Sequence, residues 1–160
     1  MVKNSKNLLI KLILLISIIA LISAFFIEFI LGHQPCNLCI LERIPYFLAI
    51  IVILLNYKFI EFEKFFILFL TIIFLFGTVL SLYHLGIEQG LIQESLVCDL
   101  KSGSNLLSKE EILKQLQEKN VSCKDVTFKM FGLSLTSYNI LISLLITFST
   151  GKIYFNYDKN

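Results

Sequence analysis

The sequence predicts an all-α membrane protein: a bundle of four transmembrane helices with a short amphipathic helix in one long exterior loop. Of the 160 residues, 56% are hydrophobic and 16% are charged, whereas a typical soluble domain has about 25% charged residues. Too few charged side chains are present to cover a water-exposed surface. Fifteen Phe argue against intrinsic disorder, and seven Gly with two Pro argue against a collagen-like chain. A net charge of +2, with dispersed lysines, excludes a nucleic-acid-binding protein.

Four stretches without Asp, Glu, Lys or Arg indicate the membrane-crossing helices. They cover residues 12–27, 44–57, 65–87 and 130–151. The last two are long enough for the roughly 20 helical residues that a crossing needs. The first stretch can be extended, because Lys11 can snorkel and Glu28 can lie at the membrane boundary. The second stretch is too short to cross unless its helix begins earlier, near Cys39. We therefore predict one integral membrane domain over residues 1–160, with spans at about 8–30, 39–57, 65–87 and 132–155.

A cleavable signal peptide is the alternative interpretation of the first stretch, because Lys3, Lys6 and Lys11 precede it. The apolar run is longer than the roughly 7 to 15 residues usual in signal peptides, and no small-residue cleavage site follows it. These features favour a transmembrane helix.

Four spans place residues 31–43 and the loop of about 88–131 on the same side of the membrane, so all four cysteines share one compartment. The 14 Lys and Arg residues divide equally between the two faces. The segments opposite the cysteines are short and densely basic, and such segments tend to stay inside. We therefore expect both termini in the cytoplasm and the cysteines in an oxidising exterior.

The long loop contains the pattern of a short amphipathic helix at residues 109–119. Ser108 followed by Glu111 is typical of a capping box, and the apolar residues Ile112 and Leu116 share one helix face. We expect this helix to cap the mouth of the bundle or to lie in the membrane interface.

The cysteines are the residues that indicate chemistry, and Cys36 and Cys39 form a C-x-x-C motif. A zinc ribbon needs a second C-x-x-C, which Cys98 and Cys123 do not supply, so we expect no metal. Haem attachment needs a histidine after the second cysteine, where this chain has Ile40. A redox disulfide is the remaining interpretation, and the N–H groups at a helix start would favour a thiolate on the second cysteine.

Arg43 lies one helical turn after Cys39 and adds a fixed cation to the same helix face. Cys98 and Cys123 could be a static staple, or could exchange with the C-x-x-C pair by thiolate attack. Four cysteines allow three pairings, and the sequence does not choose among them. Because the chain has no soluble-cofactor motif and no thioredoxin-like pattern, a lipid-soluble electron acceptor such as a quinone fits best.

Several motifs lie in order along the chain: PCNLCILER at residues 35–43, YHLGIE at 83–88, a loop with Cys98 and Cys123, and FGLS at 131–134. Together they resemble the bacterial disulfide bond formation protein B (DsbB) family. The resemblance extends from the first span to the fourth. It implies a four-helix bundle in the bacterial inner membrane, with the cysteines in the periplasm.

The resemblance also implies an activity and a role for each site residue. The protein would reoxidise a periplasmic thioredoxin-like dithiol oxidase (DsbA-like), with ubiquinone or menaquinone as the electron acceptor, and so support protein disulfide bond formation. Cys98 would be attacked by the partner's thiolate, and Cys123 would be released. Cys36 would exchange with the loop pair, and Cys39 would pass electrons to the quinone. Arg43 would hold a quinone carbonyl and stabilise the charge that develops on Cys39.

His84 lies near the exterior end of the third span. We expect it either to hydrogen-bond the quinone, to relay protons, or to be a structural helix-end histidine bonded by a neighbour. Glu42, beside Arg43, is expected in an ion pair at the interface, and Glu88 could take either kind of role.

Two other functions remain open. A vitamin K epoxide reductase-like oxidoreductase also combines a membrane bundle with a C-x-x-C and loop cysteines, although its motif is expected near the last helix of the core bundle. A tetraspan scaffold would use both disulfides as static braces. It would leave the turn spacing of Cys39 and Arg43 unexplained.

Overall fold

The computed structural model describes residues 2–93, 98, 123–124, 129–130 and 132–157 of the chain. This part of the chain forms five helices and one short antiparallel hairpin. The helices are α1 (Val2–Phe29), α2 (Asn37–Leu41), α3 (Ile44–Lys58), α4 (Glu63–Glu88) and α5 (Leu135–Asn156), with a 3-10 turn at Ile60–Phe62. The hairpin strands are β1 (Lys129–Met130) and β2 (Leu133–Ser134).

The four-helix membrane bundle predicted from the sequence is confirmed. Among the described residues, four helical segments are long and apolar enough to cross a bilayer: Lys6–Phe29, Asn37–Lys58, Ile60–Glu88 and Leu135–Asn156. The second of them contains both α2 and α3. The amphipathic helix predicted for residues 109–119 lies outside the described residues.

α2 and α3 do not form one continuous helix, and Pro45 explains the interruption. Proline has no backbone N–H, and its ring clashes with the carbonyl four residues earlier, which here belongs to Leu41, the last residue of α2. Glu42 and Arg43 connect the two helices, and the Arg43 N–H donates to the Ile40 carbonyl at 3.1 Å. The junction therefore holds two charged residues directly after the C-x-x-C motif.

α5 begins at Leu135, slightly later than the sequence predicts. Gly132 precedes β2 with a φ of +83°, a left-handed conformation that glycine adopts without strain. Ser134 then caps α5, because its Oγ accepts the Ser137 N–H at 3.4 Å. The sequence does not predict the hairpin, because a short apolar run does not distinguish a strand from the start of a helix.

The helices pack in sequence, with α1 on α3, α3 on α4, and α4 most extensively on α5. Phe74 of α4 is fully buried, and its ring meets that of Tyr46 edge-on with centroids 5.6 Å apart. At Gly77 a Cβ would lie 3.1 Å from Pro45 Cγ and 3.8 Å from Ser143 Oγ. The missing side chain lets α4 approach both α3 and α5, as small residues do in membrane bundles.

A polar cluster joins three parts of the chain at the end of the bundle opposite the cysteines. Lys6 of α1 forms an ion pair with Glu63 of α4, with Nζ and Oε2 2.7 Å apart. The Tyr157 hydroxyl donates to the same Oε2 at 3.2 Å, and Lys6 Nζ lies 4.9 Å from the centroid of the Tyr157 ring. This cluster links α1, α4 and the end of α5.

Gly77→Ala and Gly151→Ala are expected to change stability differently. Alanine favours a helix over glycine by up to about 1 kcal/mol, and at Gly151 the new Cβ would make only an ordinary contact with Thr71 Cγ2 at 3.7 Å. At Gly77 the Cβ would crowd the rigid Pro45 ring, and overpacking costs about 1–3 kcal/mol.

The measurement is the SDS concentration that unfolds the protein in mixed micelles, followed by helical circular dichroism. We expect Gly151→Ala to keep or raise the midpoint and Gly77→Ala to lower it. Equal midpoints for the two variants would contradict the close helix approach at Gly77.

Candidate redox site

The C-x-x-C motif occupies the start of α2. Cys36 is the N-cap residue, and its Sγ accepts the backbone N–H of Cys39 at 3.3 Å. One helical turn brings the two side chains together, with the sulfur atoms 2.8 Å apart. Both thiols are free in this structure, with Cys36 buried and Cys39 half-buried. A small side-chain rotation would bring the pair to bonding distance.

The other two cysteines form a disulfide. The Cα atoms of Cys98 and Cys123 lie 6.0 Å apart, a usual separation for a disulfide. Cys123 is buried in one cluster with Cys36, and Asn37 Nδ2 donates to the Cys98 carbonyl at 3.2 Å. Of the three pairings that the sequence leaves open, the structure contains this one, and it brings both cysteine pairs to the same end of the bundle.

His84 is fully buried on α4, between the thiol pair and two carboxylates. Its Nε2 lies 3.5 Å from Cys36 Sγ and 3.8 Å from Glu88 Oε1. Its Nδ1 lies 2.8 Å from Glu42 Oε1 and 3.3 Å from Thr136 Oγ1. The Thr136 hydroxyl donates to Glu88 Oε1 at 2.6 Å. His84 is therefore both a neighbour of the redox thiol and a hydrogen-bonding partner of Glu42.

Glu42 is buried, and both of its oxygens have partners. His84 Nδ1 contacts Oε1, and Asn139 Nδ2 donates to Oε2 at 3.0 Å. Asn139 also donates to Ser81 Oγ at 2.7 Å and accepts a hydrogen bond from the Tyr46 hydroxyl. This network connects the junction of α2 and α3 to both α4 and α5.

Arg43 contacts α1 and not the adjacent Glu42. Its Nη1 donates to Glu28 Oε2 at 2.5 Å, and its Cζ lies 5.2 Å from the centroid of the Phe25 ring. A charge-assisted hydrogen bond and a cation–π contact together fix the direction of the guanidinium. The sequence suggests an interface ion pair at Glu42 and Arg43. In the structure the ion-pair partner of Arg43 is Glu28 of α1.

A cavity of about 440 Å³ lies beside these residues, within the range of roughly 300–1,000 Å³ typical of small-molecule sites. Its polar wall includes Cys36, Cys39, Glu42, Arg43, His84, Glu88 and Cys123. Its apolar wall includes Ile16, Ile19, Leu21, Ala24, Ile27, Leu135 and Ile142. Thiols and a guanidinium therefore line one side of a cavity whose other wall is mainly apolar.

The hydrogen bond with the Cys39 thiol, assisted by His84, lowers the pKa of Cys36 to about 5, although burial opposes the shift. The lowered pKa favours the thiolate form of Cys36. The sequence places the thiolate on the second cysteine of the motif, whereas here the pKa of the first cysteine is lowered. Cys36 is the N-cap, so its sulfur receives the N–H from the helix start.

Sequence reasoning missed three members of this site, Glu28, Thr136 and Asn139. Each is a polar residue inside or at the edge of an apolar span, where a polar side chain must find a protein partner. That signal is present in the sequence. It does not say which neighbouring helix the side chain faces.

Comparison with known proteins relates this chain to a described family and to a bacterial relative. The family model described as disulfide bond formation protein DsbB matches residues 6–151. The "Uncharacterized protein RP370" of Rickettsia prowazekii (strain Madrid E) is 32% identical over 165 aligned residues, which cover 99% of this chain and 94% of the relative. No solved structure matches.

The lowered pKa of Cys36 predicts how its alkylation depends on pH. In a reduced Cys98→Ser/Cys123→Ser variant, modification by a small thiol reagent should slow as the pH falls through about 5, because the thiolate is then protonated. Cys39→Ala removes the main hydrogen bond, so the midpoint should move up toward the ordinary thiol value of about 8.5. Mass spectrometry of the modified peptide measures both. A midpoint that Cys39→Ala leaves unchanged would contradict the assigned cause.

Proposed function

Because this chain belongs to the family of disulfide bond formation protein DsbB, we propose that it is a quinone-dependent thiol oxidase of the bacterial inner membrane. It reoxidises a periplasmic DsbA-like dithiol oxidase and passes the electrons to ubiquinone or menaquinone. Its cysteines face the periplasm, and both termini lie in the cytoplasm. Family membership itself makes the chain a membrane disulfide oxidoreductase; the acceptor, the partner and the orientation belong to the proposal.

One observation supports the proposal most directly. Cys36, Cys39, Cys123 and Arg43 all line the same cavity. Disulfide exchange requires sulfur atoms that can approach one another, and electron transfer to a quinone requires an apolar chamber beside one of them. A static scaffold has no use for a half-buried free thiol and a positioned guanidinium on one chamber wall.

The loop pair receives the electrons first. The partner's thiolate attacks Cys98 Sγ, the bond between Cys98 and Cys123 breaks, and Cys123 leaves as a thiolate. The partner's second thiolate then attacks the mixed disulfide. The partner leaves with a disulfide, and Cys98 and Cys123 are both reduced.

The loop pair next reduces the disulfide between Cys36 and Cys39. Cys123 attacks Cys36, and Cys39 leaves as a thiolate. Cys98 then attacks Cys123, which restores the loop disulfide and frees Cys36. The packing of Cys36 and Cys123 in one buried cluster supports exchange between these two sulfurs.

Cys39 passes the electrons onward. A quinone in the cavity would accept two electrons and two protons. Arg43 would hold a carbonyl oxygen with N–H donors beyond the one that Glu28 uses. Cys36, whose sulfur is 2.8 Å from that of Cys39, closes the disulfide again, and His84 is placed to exchange protons with Cys36 at 3.5 Å.

Quinone reduction by the purified protein tests the proposal. The protein is reduced in detergent without oxygen, the reductant is removed, and quinone absorbance and thiol count are followed together. Wild type should consume one quinone for each pair of thiols lost, and Cys39→Ser should abolish both changes. If a folded wild-type protein leaves both thiols and quinone unchanged, the scaffold with static disulfides is the better account.

Arg43→Lys is expected to raise the KM for quinone about tenfold, with a smaller effect on the exchange between the cysteine pairs. Lysine keeps the charge but loses the planar arrangement of donors that positions a carbonyl. Lys58→Ala is the matched control, because Lys58 is an exposed cation at the far end of α3. Equal KM values for Arg43→Lys and the control would remove Arg43 from the quinone site.

A further inference from the structure

The C-x-x-C sulfurs and the His84 imidazole form a set of three groups that could ligate a metal. One ligand atom from each of Cys36, Cys39 and His84 lies within 4.8 Å of the others. Two thiolates and an imidazole are ligands that zinc prefers. The sequence excluded a zinc ribbon because the chain has no second C-x-x-C. The fold instead supplies a third ligand from α4, 48 residues after Cys36.

Glu42 prepares His84 for this role. Its Oε1 lies 2.8 Å from Nδ1 of the imidazole, so a proton on Nδ1 is hydrogen-bonded to a carboxylate. Once Nε2 has no proton, its lone pair faces the thiol pair, with Cys36 Sγ at 3.5 Å. A carboxylate behind a ligating histidine is the usual arrangement at zinc sites, where it fixes the tautomer and the ring orientation.

We infer that the reduced protein binds one zinc ion through Cys36 Sγ, Cys39 Sγ and His84 Nε2, with the fourth position facing the cavity. Water from the cavity is the expected fourth ligand. The ion replaces any protons on the two thiols and on His84 Nε2, and no electrons are transferred.

The site needs only a small adjustment of the thiol pair. Two thiolates at zinc–sulfur distances of about 2.3 Å and a tetrahedral angle lie about 3.8 Å apart, whereas the two sulfurs are now 2.8 Å apart. A change of about 1 Å is within the reach of χ1 rotation at the half-buried Cys39. The cavity that both sulfurs line supplies the entry path.

Zinc binding and disulfide formation exclude each other, because the ion requires both sulfurs as thiolates. Zinc would therefore hold the C-x-x-C pair reduced and stop electron transfer to a quinone. This consequence rests on the proposed oxidase function. The binding itself does not, because it concerns only the reduced protein.

The test is a titration of the reduced, full-length protein in detergent with zinc, in competition with a chromophoric chelator. Cobalt(II) in place of zinc reports on thiolate ligands through its charge-transfer absorption. We expect one ion per protein, and none after diamide has oxidised the C-x-x-C pair. The Cys98→Ser/Cys123→Ser variant is the matched control. It should still bind one ion, because it keeps all three proposed ligands and lacks only the loop cysteines.

His84→Gln should weaken zinc affinity at least tenfold, and Glu42→Gln should weaken it roughly 10- to 100-fold through the orientation of His84. Circular dichroism establishes that each variant is folded. Absence of stoichiometric binding by the wild type overturns the inference. So does wild-type affinity in a folded His84→Gln variant, since the ion would then bind a bare dithiol.

A quinone assay with and without zinc separates this inference from the proposed function. Zinc should stop both thiol loss and quinone reduction, and a chelator should restore them. If the protein reduces quinone but binds no zinc, only the metal site is overturned. If it binds zinc but reduces no quinone, only the oxidase function is overturned.

Discussion

The hydrogen bond between Glu42 and His84 is the contact on which the geometry of the redox end depends. Both side chains are buried, with Glu42 8% and His84 1% exposed, and a buried carboxylate is costly unless its oxygens are bonded. His84 takes one oxygen and Asn139 the other, so the α2–α3 junction is held by α4 and α5 together. Cys36, only six residues before Glu42, thereby lies against the imidazole. Removal of His84 would leave the buried Oε1 of Glu42 without this hydrogen bond.

The sequence predicts the bundle because the bilayer imposes a strict rule. Helices must be long and apolar enough to cross hydrocarbon, so charge-free runs reveal four spans, and the structure confirms four. The same rule does not fix how each helix is rotated about its axis. The partners of Glu42 and Arg43 depend on that rotation, and the sequence argument therefore missed Glu28 and Asn139. It also missed the interruption of the second span, which Pro45 explains only once the α2–α3 junction is known.

The cysteine motif shows a second limit of sequence reasoning. The spacing of Cys36 and Cys39 correctly indicates a shared helix start, and a helix N-terminus does favour a thiolate. Which sulfur benefits depends on where the helix begins. Since α2 starts at Asn37, Cys36 becomes the N-cap and accepts the Cys39 N–H. The lowered pKa of Cys36 comes chiefly from the hydrogen bond with the Cys39 thiol, and the backbone N–H is a smaller cause.

Polar side chains at the redox end have a double role because lipid offers no hydrogen bonds. At this end of the spans, polar side chains bond to one another, which brings Ser81, His84, Thr136 and Asn139 together around Glu42. The same hydrogen-bond network places the His84 imidazole beside the Cys36 thiol and forms part of the polar wall of the cavity. In the proposed mechanism, the thiol pair exchanges protons with His84, one of the same side chains that hold the helices together. The structural network and the reactive centre are therefore one set of residues, and a substitution that alters one should alter the other.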